Sequence, residues 1–559
     1  MGRVSVFVLI YLLVWVGCEG AVKPVFKDVS KLRGIQTLEE NHRRRPEDSK
    51  YFGATIADLD CDGRYDLVLS NHGNNAEWYW SKGTKKFTSM DPKLKNHDVH
   101  GTAAGDLDND GVKDVIFTLG GSGGTKPGLP IFFHVGKDQT YKTDRGEKWG
   151  LDQGKTRGRT ATYIDIDNDG DLDLIFLSAP KLDSNRSHYV YENLGNGQFR
   201  LRNKTGLEKI FGFKHLVLDI DNDGNLDLIV FDVPGPDVYL GTGRFKFNLK
   251  KNILPDINLR LVASMAEFDY DGDGDFDLYL SRGFPGKYEA PNILLENRGG
   301  RYVAVEKKTN SDIVGHSRHV TYGDFNNDGF IDLYITETVD KKRPRKNDIM
   351  LVNQAGKRFV KEKRTGTESK NPYEDGNNSI AFDYDNDGRV DILSGARNGT
   401  WNLYENRTPY GGRHYLLVQV GRPSARVLNK NLKRSPMHAV VRVLTSTRVF
   451  IRRVSTPGRS HAQAFMDTLH FGLGKRDKIE KITIDYNGGV RVIREGGITV
   501  DSTILIGRQC KCSGNKTGPN CALKKPECSM KSCAGTRCET AFFTDNPGKK
   551  YYCKVPPGQ

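Results

Sequence analysis

The chain is poor in the residues that make enzymes legible. Its 559 residues include only 13 histidines, and nowhere do they form His-Glu-x-x-His. Gly-x-Ser-x-Gly and the phosphate-cradling glycine loop are also missing, so the usual signs of a zinc protease, a serine hydrolase and a nucleotide-binding loop are absent. Beyond Val16 no apolar stretch approaches the roughly 20 residues that span a bilayer, which argues against a membrane-spanning helix. Cysteine is almost missing before residue 510. Only Cys18 and Cys61 occur there, and seven others crowd between Cys510 and Cys553. Helix formers do not dominate, whereas 61 glycines and many short apolar runs bounded by Gly, Asn and Asp favour β structure.

What is present at the N-terminus is Met-Gly-Arg3, an apolar run from Val4 to Val16 and small residues around Gly20. This pattern is that of a secretory signal peptide over residues 1–20, cut after Gly20. The mature chain is expected outside the cell, in the extracellular space or matrix. Asn-x-Ser/Thr sequons at Asn185, Asn203, Asn377, Asn398, Asn406 and Asn515 fit that route. So does the cysteine cluster, whose density implies disulfides in an oxidising compartment. Seven is odd, so either Cys61 pairs with one of the seven or a thiol stays free or bonds another chain.

The dominant feature is an acidic loop that recurs seven times. Loop 3 reads Asp165-Ile-Asp167-Asn-Asp169-Gly170-Asp171-Leu-Asp173. Its counterparts carry Asp58, Asp60, Asp62 and Asp66 in loop 1 and Asp106, Asp108, Asp110 and Asp114 in loop 2. Loop 4 has Asp219, Asp221, Asp223 and Asp227; loop 5 has Asp269, Asp271, Asp273 and Asp277. Loop 6 has Asp324, Asn326, Asp328 and Asp332, and loop 7 has Asp383, Asp385, Asp387 and Asp391. Acids at positions one, three, five and nine with glycine at six suit a hard cation such as Ca²⁺, which takes six to eight oxygens and needs a sharp turn. These 28 side chains are the candidate metal ligands, and up to seven Ca²⁺ ions are the expected cofactor. An EF-hand would need Glu at position twelve and flanking helices. Position twelve is instead Leu69, Phe117, Phe176, Val230, Leu280, Ile335 and Ser394, and the ninth Asp runs into strand-like sequence such as Leu-Ile-Phe-Leu.

First-Asp spacings of 48, 59, 54, 50, 55 and 59 residues indicate an array of similar units. Downstream of several loops comes a tight-turn cue, as in Tyr191-Glu-Asn-Leu-Gly-Asn-Gly-Gln-Phe199. Each unit therefore reads as strand, acidic loop, strand, strand, turn, strand. A four-stranded sheet that is apolar on both faces must be covered on both, and sheets packed around an axis achieve this. The expected fold is mainly β: a seven-bladed β-propeller with calcium loops over 21–408, then a small β-rich, sandwich-like domain over 409–508, then a disulfide-rich EGF-like tail over 509–559. The stretch Val25-Phe-Lys-Asp-Val29 is expected to supply the strand that closes the ring.

The Asp-x-Asp-x-Asp-Gly-x-x-Asp loops at this period resemble the FG-GAP/VCBS repeats of integrin α-subunit propellers. Arg413 to Val420, Ala439 to Val443, His470-Phe-Gly-Leu-Gly474 and Ile484 to Gly489 are similar to the ASPIC/UnbV domain. His438 stands where that pattern has Gly, and Tyr486-Asn-Gly-Gly489 replaces a Trp-Pro-x-Gly-like turn. Together with the cysteine-rich tail, the whole resembles the cartilage acidic protein family, which implies a secreted extracellular-matrix protein. Cys510, Cys512 and Cys521 look like the last half of an EGF repeat and Cys528, Cys533, Cys538 and Cys553 like the first part of another. No Asp-x-Asp-Glu stretch precedes them, so a disulfide-stapled module without its own calcium is expected.

Charge separates sharply along the chain. Removing the 27 loop aspartates from the formal +14 leaves +41 elsewhere. Basic runs lie at 42–45, 341–346, Lys357 to Arg364 and Arg448 to Arg453. In an extracellular setting they point to sulfated glycosaminoglycans or acidic partners and away from nucleic acid. The expected function is a calcium-binding adhesion glycoprotein acting as a scaffold for extracellular-matrix or cell-surface proteins. The alternatives are a secreted glycan-active enzyme, for which His100, His215, His316 and His319 could gather near a propeller face, and a soluble ligand of a cell-surface receptor.

Overall fold

A computed structural model describes residues 22–35 and 52–507, apart from 72–75, 84, 95–96, 121–127, 152–156, 180–187, 196, 211, 213, 232–234, 285–287, 339–347, 369–375, 397–398, 424–433 and 459–460. In the tail it describes 516–517, 523–524, 537–541 and 550–554. The expected signal sequence, Asn185, Asn398, Asn515, the basic runs at 42–45 and 341–346, and most of the tail cysteines lie outside these residues. The described chain is mainly β.

Each acidic loop joins two neighbouring antiparallel strands. Loop 3 leaves Arg157–Ile164 and enters Asp173–Ala179, and His188–Asn193 and Phe199–Arg202 complete sheet 3. Along the second strand alternate residues serve opposite faces. Leu174 and Phe176 join a buried cluster shared with sheet 2, and Ile175 and Leu177 join one shared with Val217, Leu228 and Val230 of sheet 4. The continuous apolar run thus reflects a sheet covered on both sides.

The same order recurs in seven sheets, whose innermost strands are Phe52–Ala57, Val99–Gly105, Arg157–Ile164, Lys214–Leu218, Val262–Phe268, Ser317–Gly323 and Gly376–Phe382. Consecutive inner strands pack on one another, and Gly376–Phe382 packs back on Phe52–Ala57, giving a propeller-like ring. Sheet 7 takes its outer strand from the start of the chain. Phe26–Asp28 pairs antiparallel with Trp401–Asn406, placing Phe26 opposite Asn406. The stretch expected to close the ring does so.

Two further sheets follow. His414–Val420 lies between Thr468–Gly474, antiparallel, and Ser502–Ile506, parallel. Val449–Arg453, Val440–Leu444, Lys481–Tyr486 and Val490–Glu495 form the second, an antiparallel sheet in that order. Leu416 and Val418 of one and Val441, Val443, Ile482 and Ile484 of the other share a buried cluster.

Between Val449–Arg453 and Thr468–Gly474 the chain leaves this domain and enters the ring as a strap. Ala462–Gln463 pairs in parallel with Thr102 and Ala103 of sheet 2. Phe465 N donates to Ile56 O of sheet 1 at 2.9 Å. Gln463 brackets Tyr163 of sheet 3, accepting from its N–H at 2.7 Å and donating to its carbonyl at 3.0 Å. Thr321 Oγ1 of sheet 6 donates to Pro457 O at 2.6 Å. Four inner strands therefore satisfy the strap's polar groups, which allows so polar a segment to be buried. At Gly53 an added Cβ would stand 2.6 Å from Ala462 Cβ, so the strap needs glycine there.

Candidate metal centres

The loop sequence folds around its own first aspartate. Asp165 Oδ2 accepts Gly170 N–H at 3.1 Å, Asp169 Oδ1 accepts Asp171 N–H at 2.8 Å, and Gly170 has φ +93°, a left-handed conformation that favours glycine. The same first-Asp-to-Gly bond forms in every loop. In loops 1, 2 and 5 the acids at positions one, three and five bring carboxylate oxygens within 4.8 Å of each other; in loops 3 and 4 positions one, three and nine do so.

Several of these oxygens are buried without a hydrogen-bond partner: Oδ1 of Asp106, of Asp165 and of Asp167. Burial first, and then Asp169 and Asp167, pushes the Asp165 carboxyl up to about 7. Asp58 is raised to about 7 mainly by burial, and Asp106 to about 6 by burial against the opposing pull of Arg422. Dry, crowded carboxylates with orphaned lone pairs and an all-oxygen donor set fit a hard divalent cation.

Position nine has a second task. Both oxygens of Asp173 accept backbone N–H groups, from Ile166 at 2.9 Å and Asn193 at 2.8 Å. All seven ninth-position acids do likewise, linking loop to third strand. Each oxygen keeps a further lone pair for a cation. Asn326 also acquires a reason. Its Oδ1 accepts Asp328 N–H at 3.0 Å and its Nδ2 donates to Val22 O at 3.1 Å, which a carboxylate could not do.

Two sets of asparagines have roles that the loop pattern does not announce. Position four is left-handed in every loop, at Cys61, Asn109, Asn168, Asn222, Gly272, Asn327 and Asn386. Asn109 Nδ2 donates to Asp171 Oδ1 of loop 3, Asn168 Nδ2 to Asn225 Oδ1 of loop 4, Asn327 Nδ2 to Gly388 O of loop 7, and Asn386 Nδ2 to Gly63 O of loop 1. Cys61 Sγ lies 3.5 Å from Gly111 O of loop 2. These contacts link loops 1 to 2, 2 to 3, 3 to 4, 6 to 7 and 7 to 1. Asn193, which stands in a turn cue of the sequence, Asn353 and Asn406 clasp sheets together. Asn353 Nδ2 donates to Tyr270 O of loop 5 and Ile331 O of its own loop, at 2.8 and 3.1 Å. The repeated Asn before a Gly-rich turn was the signal that could have revealed them. Cys61 is disulfide-bonded.

The second domain sits on this loop face. Arg422 Nη2 reaches Asp106 Oδ2 at 2.5 Å and Asn109 Oδ1 at 2.6 Å, Arg434 donates to Asn168 O, and His470 Nε2 lies 3.1 Å from Gly388 O. Lys113 of loop 2 donates to Asp467 at 3.1 Å, both buried. The basic run Arg448 to Arg453 belongs to this interface and is not a solvated patch. Arg448 lies 4.0 Å over Phe330 and fills the space beside Gly272, Arg452 stacks on Phe471, and Arg453 meets Glu267 at 2.8 Å. A cleft of about 470 Å³ remains between loops 4 and 5 and the second domain, with Asp219 and Asn222 on one wall and Arg442 and Asp485 on the other.

The four histidines do not assemble an accessible site. His100, His215, His316 and His319 are 0–5 % exposed. His100 is held by Asp98, Gly158 and Arg159, and burial drives His319 down to about 3. Two sequons are also withdrawn from solvent: Asn377 is 5 % and Asn406 1 % exposed, and Asn406 Nδ2 donates to Phe325 O and Val390 O. Asn203 is exposed.

A propeller-like ring with acidic strand-to-strand loops, capped by a two-sheet domain, is the class this geometry defines. The profile of the FG-GAP-like repeat matches residues 51–117, 165–230 and 269–335, each span holding two loops, and that of ASPIC and UnbV matches 429–511. No curated protein matches. Among solved structures, an Agrocybe aegerita lectin described as recognising non-reducing terminal N-acetylglucosamine is 17 % identical, with 58 % of this chain and 83 % of its own covered at a TM-score of 0.41. BBS1N in complex with ARL6DN, soaked with mercury, is 10 % identical, with 70 % and 99 % covered at 0.41. Among the described residues no helix is long and apolar enough to cross a membrane.

Proposed function

We propose that this protein is a secreted, calcium-dependent binding scaffold of the extracellular matrix. Its ring is a seven-bladed propeller, its acidic loops hold up to seven structural Ca²⁺ ions, and its outer surfaces engage matrix or cell-surface proteins and sulfated glycosaminoglycans. The observation that carries the reading is the set of buried, unpartnered carboxylate oxygens at Asp106, Asp165 and Asp167, lying under the domain that caps them. Ca²⁺ would supply the positive charge these groups require. The acids at positions one, three and five would hold it, and position nine would brace the loop while lending a lone pair. Catalysis is not part of this reading, because the loop acids serve the cation and His100, His215, His316 and His319 are buried.

Calcium removal tests it. A ligand held at a hundred times its Kd stabilises by about 2.7 kcal/mol per site, so EGTA should lower the melting temperature of the mature protein sharply and expose the loop face to protease. The site at Asn326 should empty first, since an amide replaces a carboxylate there. Unchanged melting and protease resistance would sink the metal role.

A further inference from the structure

Of the described basic runs, Arg448 to Arg453 is turned into the fold, with Arg452 and Arg453 buried and Arg448 half-buried, whereas Lys357 to Arg364 lies on the outermost edge of sheet 6. There Phe359–Glu362 turns Phe359 inward and leaves Lys361 exposed, and Lys357, Arg358, Lys363 and Arg364 are exposed around it. The fold extends this edge with residues more than 300 positions away. Phe26 N donates to Thr365 O at 2.6 Å, Lys23 Nζ donates to Lys363 O, and the backbone at Gly366 lies against Phe26 O. The outer strand of sheet 7 therefore continues the surface, adding exposed Lys23, Lys27 and Lys31. The short helix Ser30–Arg33 then ends on Gly34, whose Cα side faces Phe87 O in the outer strand of sheet 1, beside exposed Lys82 and Lys86.

Acids within this band are mostly engaged. Asp28 accepts from Ser30, Glu368 accepts the N–H groups of Thr365 and Gly366, and Glu405 is paired with Arg33 and Arg407. Glu362 is half-buried. Among the described residues, what reaches solvent across three sheets is mainly a run of ammonium and guanidinium groups, with Val25 and Leu32 as isolated exposed apolar side chains. Such a surface recognises a long, flexible, densely charged anion better than a folded acidic protein, whose fixed charges would need matching positions.

We propose that the rim formed by the outer edges of sheets 6, 7 and 1 binds sulfated glycosaminoglycan chains. The proposal deepens the scaffold reading by naming a partner and a surface. The test uses the full-length mature protein in calcium on immobilised heparin at about 0.15 M salt. Lys361→Glu/Lys363→Glu/Arg364→Glu should weaken binding about tenfold or more and flatten the dependence of log Kd on log salt, because fewer counterions are released. Lys27→Glu/Lys31→Glu should weaken it in the same direction, since the surface is continuous. Lys246→Glu/Lys250→Glu/Lys251→Glu, an equal change of charge on the outer strand of sheet 4, should have a much smaller effect. Melting curves matched to the parent show that each variant is folded. Equal losses in the sheet 4 variant would mean that net charge alone attracts the glycan and would overturn the proposal. Undiminished binding in the sheet 6 variant would do the same, as would equal binding to unsulfated hyaluronan. Calcium dependence of melting is read separately, so failure here removes the glycosaminoglycan partner and leaves the structural role of calcium to stand or fall on its own.

Discussion

Replacing Arg453 by methionine probes how firmly the second domain is bolted to the ring. Arg453 and Glu267 are 4 % and 1 % exposed, their charges meet at 2.8 Å, and the guanidinium carbon lies 4.8 Å from the centre of the Phe276 ring. At a surface such a pair contributes about 0–1 kcal/mol. Here removing one partner leaves the Glu267 carboxylate buried without its guanidinium, which costs about 3–5 kcal/mol. Replacing both, as Glu267→Met/Arg453→Met, removes the stranded charge and should recover most of that loss, so the double-mutant cycle should show a coupling of about 3 kcal/mol. Urea unfolding in saturating calcium measures it, with Arg442→Met as a partly exposed control expected to lose less than about 1 kcal/mol. If Arg453→Met costs no more than the control, or the double variant loses the sum of the singles, the buried-bolt argument fails.

Three other outcomes follow from the same contacts. His319 is neutral in the fold, with a pKa near 3 against about 6.5 unfolded. The unfolded chain therefore binds the extra proton, and this contribution to stability is present above about pH 6.5 and is lost as pH falls towards 3. His319→Gln should remove about 2 kcal/mol of the difference between pH 7 and pH 5, read from unfolding at both; an unchanged difference refutes the burial of a neutral imidazole. Asn353→Leu deprives Tyr270 O and Ile331 O of a buried donor and should lower stability by about 2–4 kcal/mol, whereas a loss under half of that would remove the clasp. Peptide mapping of the protein expressed through a secretory route should find glycan at Asn203 and none at Asn377 or Asn406; occupancy at Asn406 would contradict its place between sheets 6 and 7.

Much of the ring was legible because its signals are local and repeated. The seven loops, the strand after each ninth Asp and the closing strand at Phe26 all follow from period and patterning within a few residues. The missed features depend on distant partners. Nothing local in His461 to Phe465 marks it as interior, and only the inner strands, by supplying Ile56 O to Phe465 and the backbone of Tyr163 to Gln463, make it a strap. Arg448, Arg452 and Arg453 have the composition of a solvated face, but Phe330, Phe471 and Glu267 that bury them come from elsewhere in the chain. Asn168 and Asn353 looked like turn residues because Asn favours both left-handed backbone and turns; their reach to a neighbouring sheet is not a local property. The acidic loops themselves were visible residue by residue, though the double use of position nine, whose two oxygens accept backbone N–H groups, was not.

The strap gives the molecule an order of assembly. Its residues are translated after the last strand of the ring, so a nascent chain carries seven spokes before it has an axle. Until that segment emerges, Gly53, Gly101 and the inner-strand groups around Tyr163 face an open bore. A chain ending before residue 455 would keep them so. Substitutions at 455–458 or 461–467 should therefore lower the yield of folded protein while leaving every acidic loop intact.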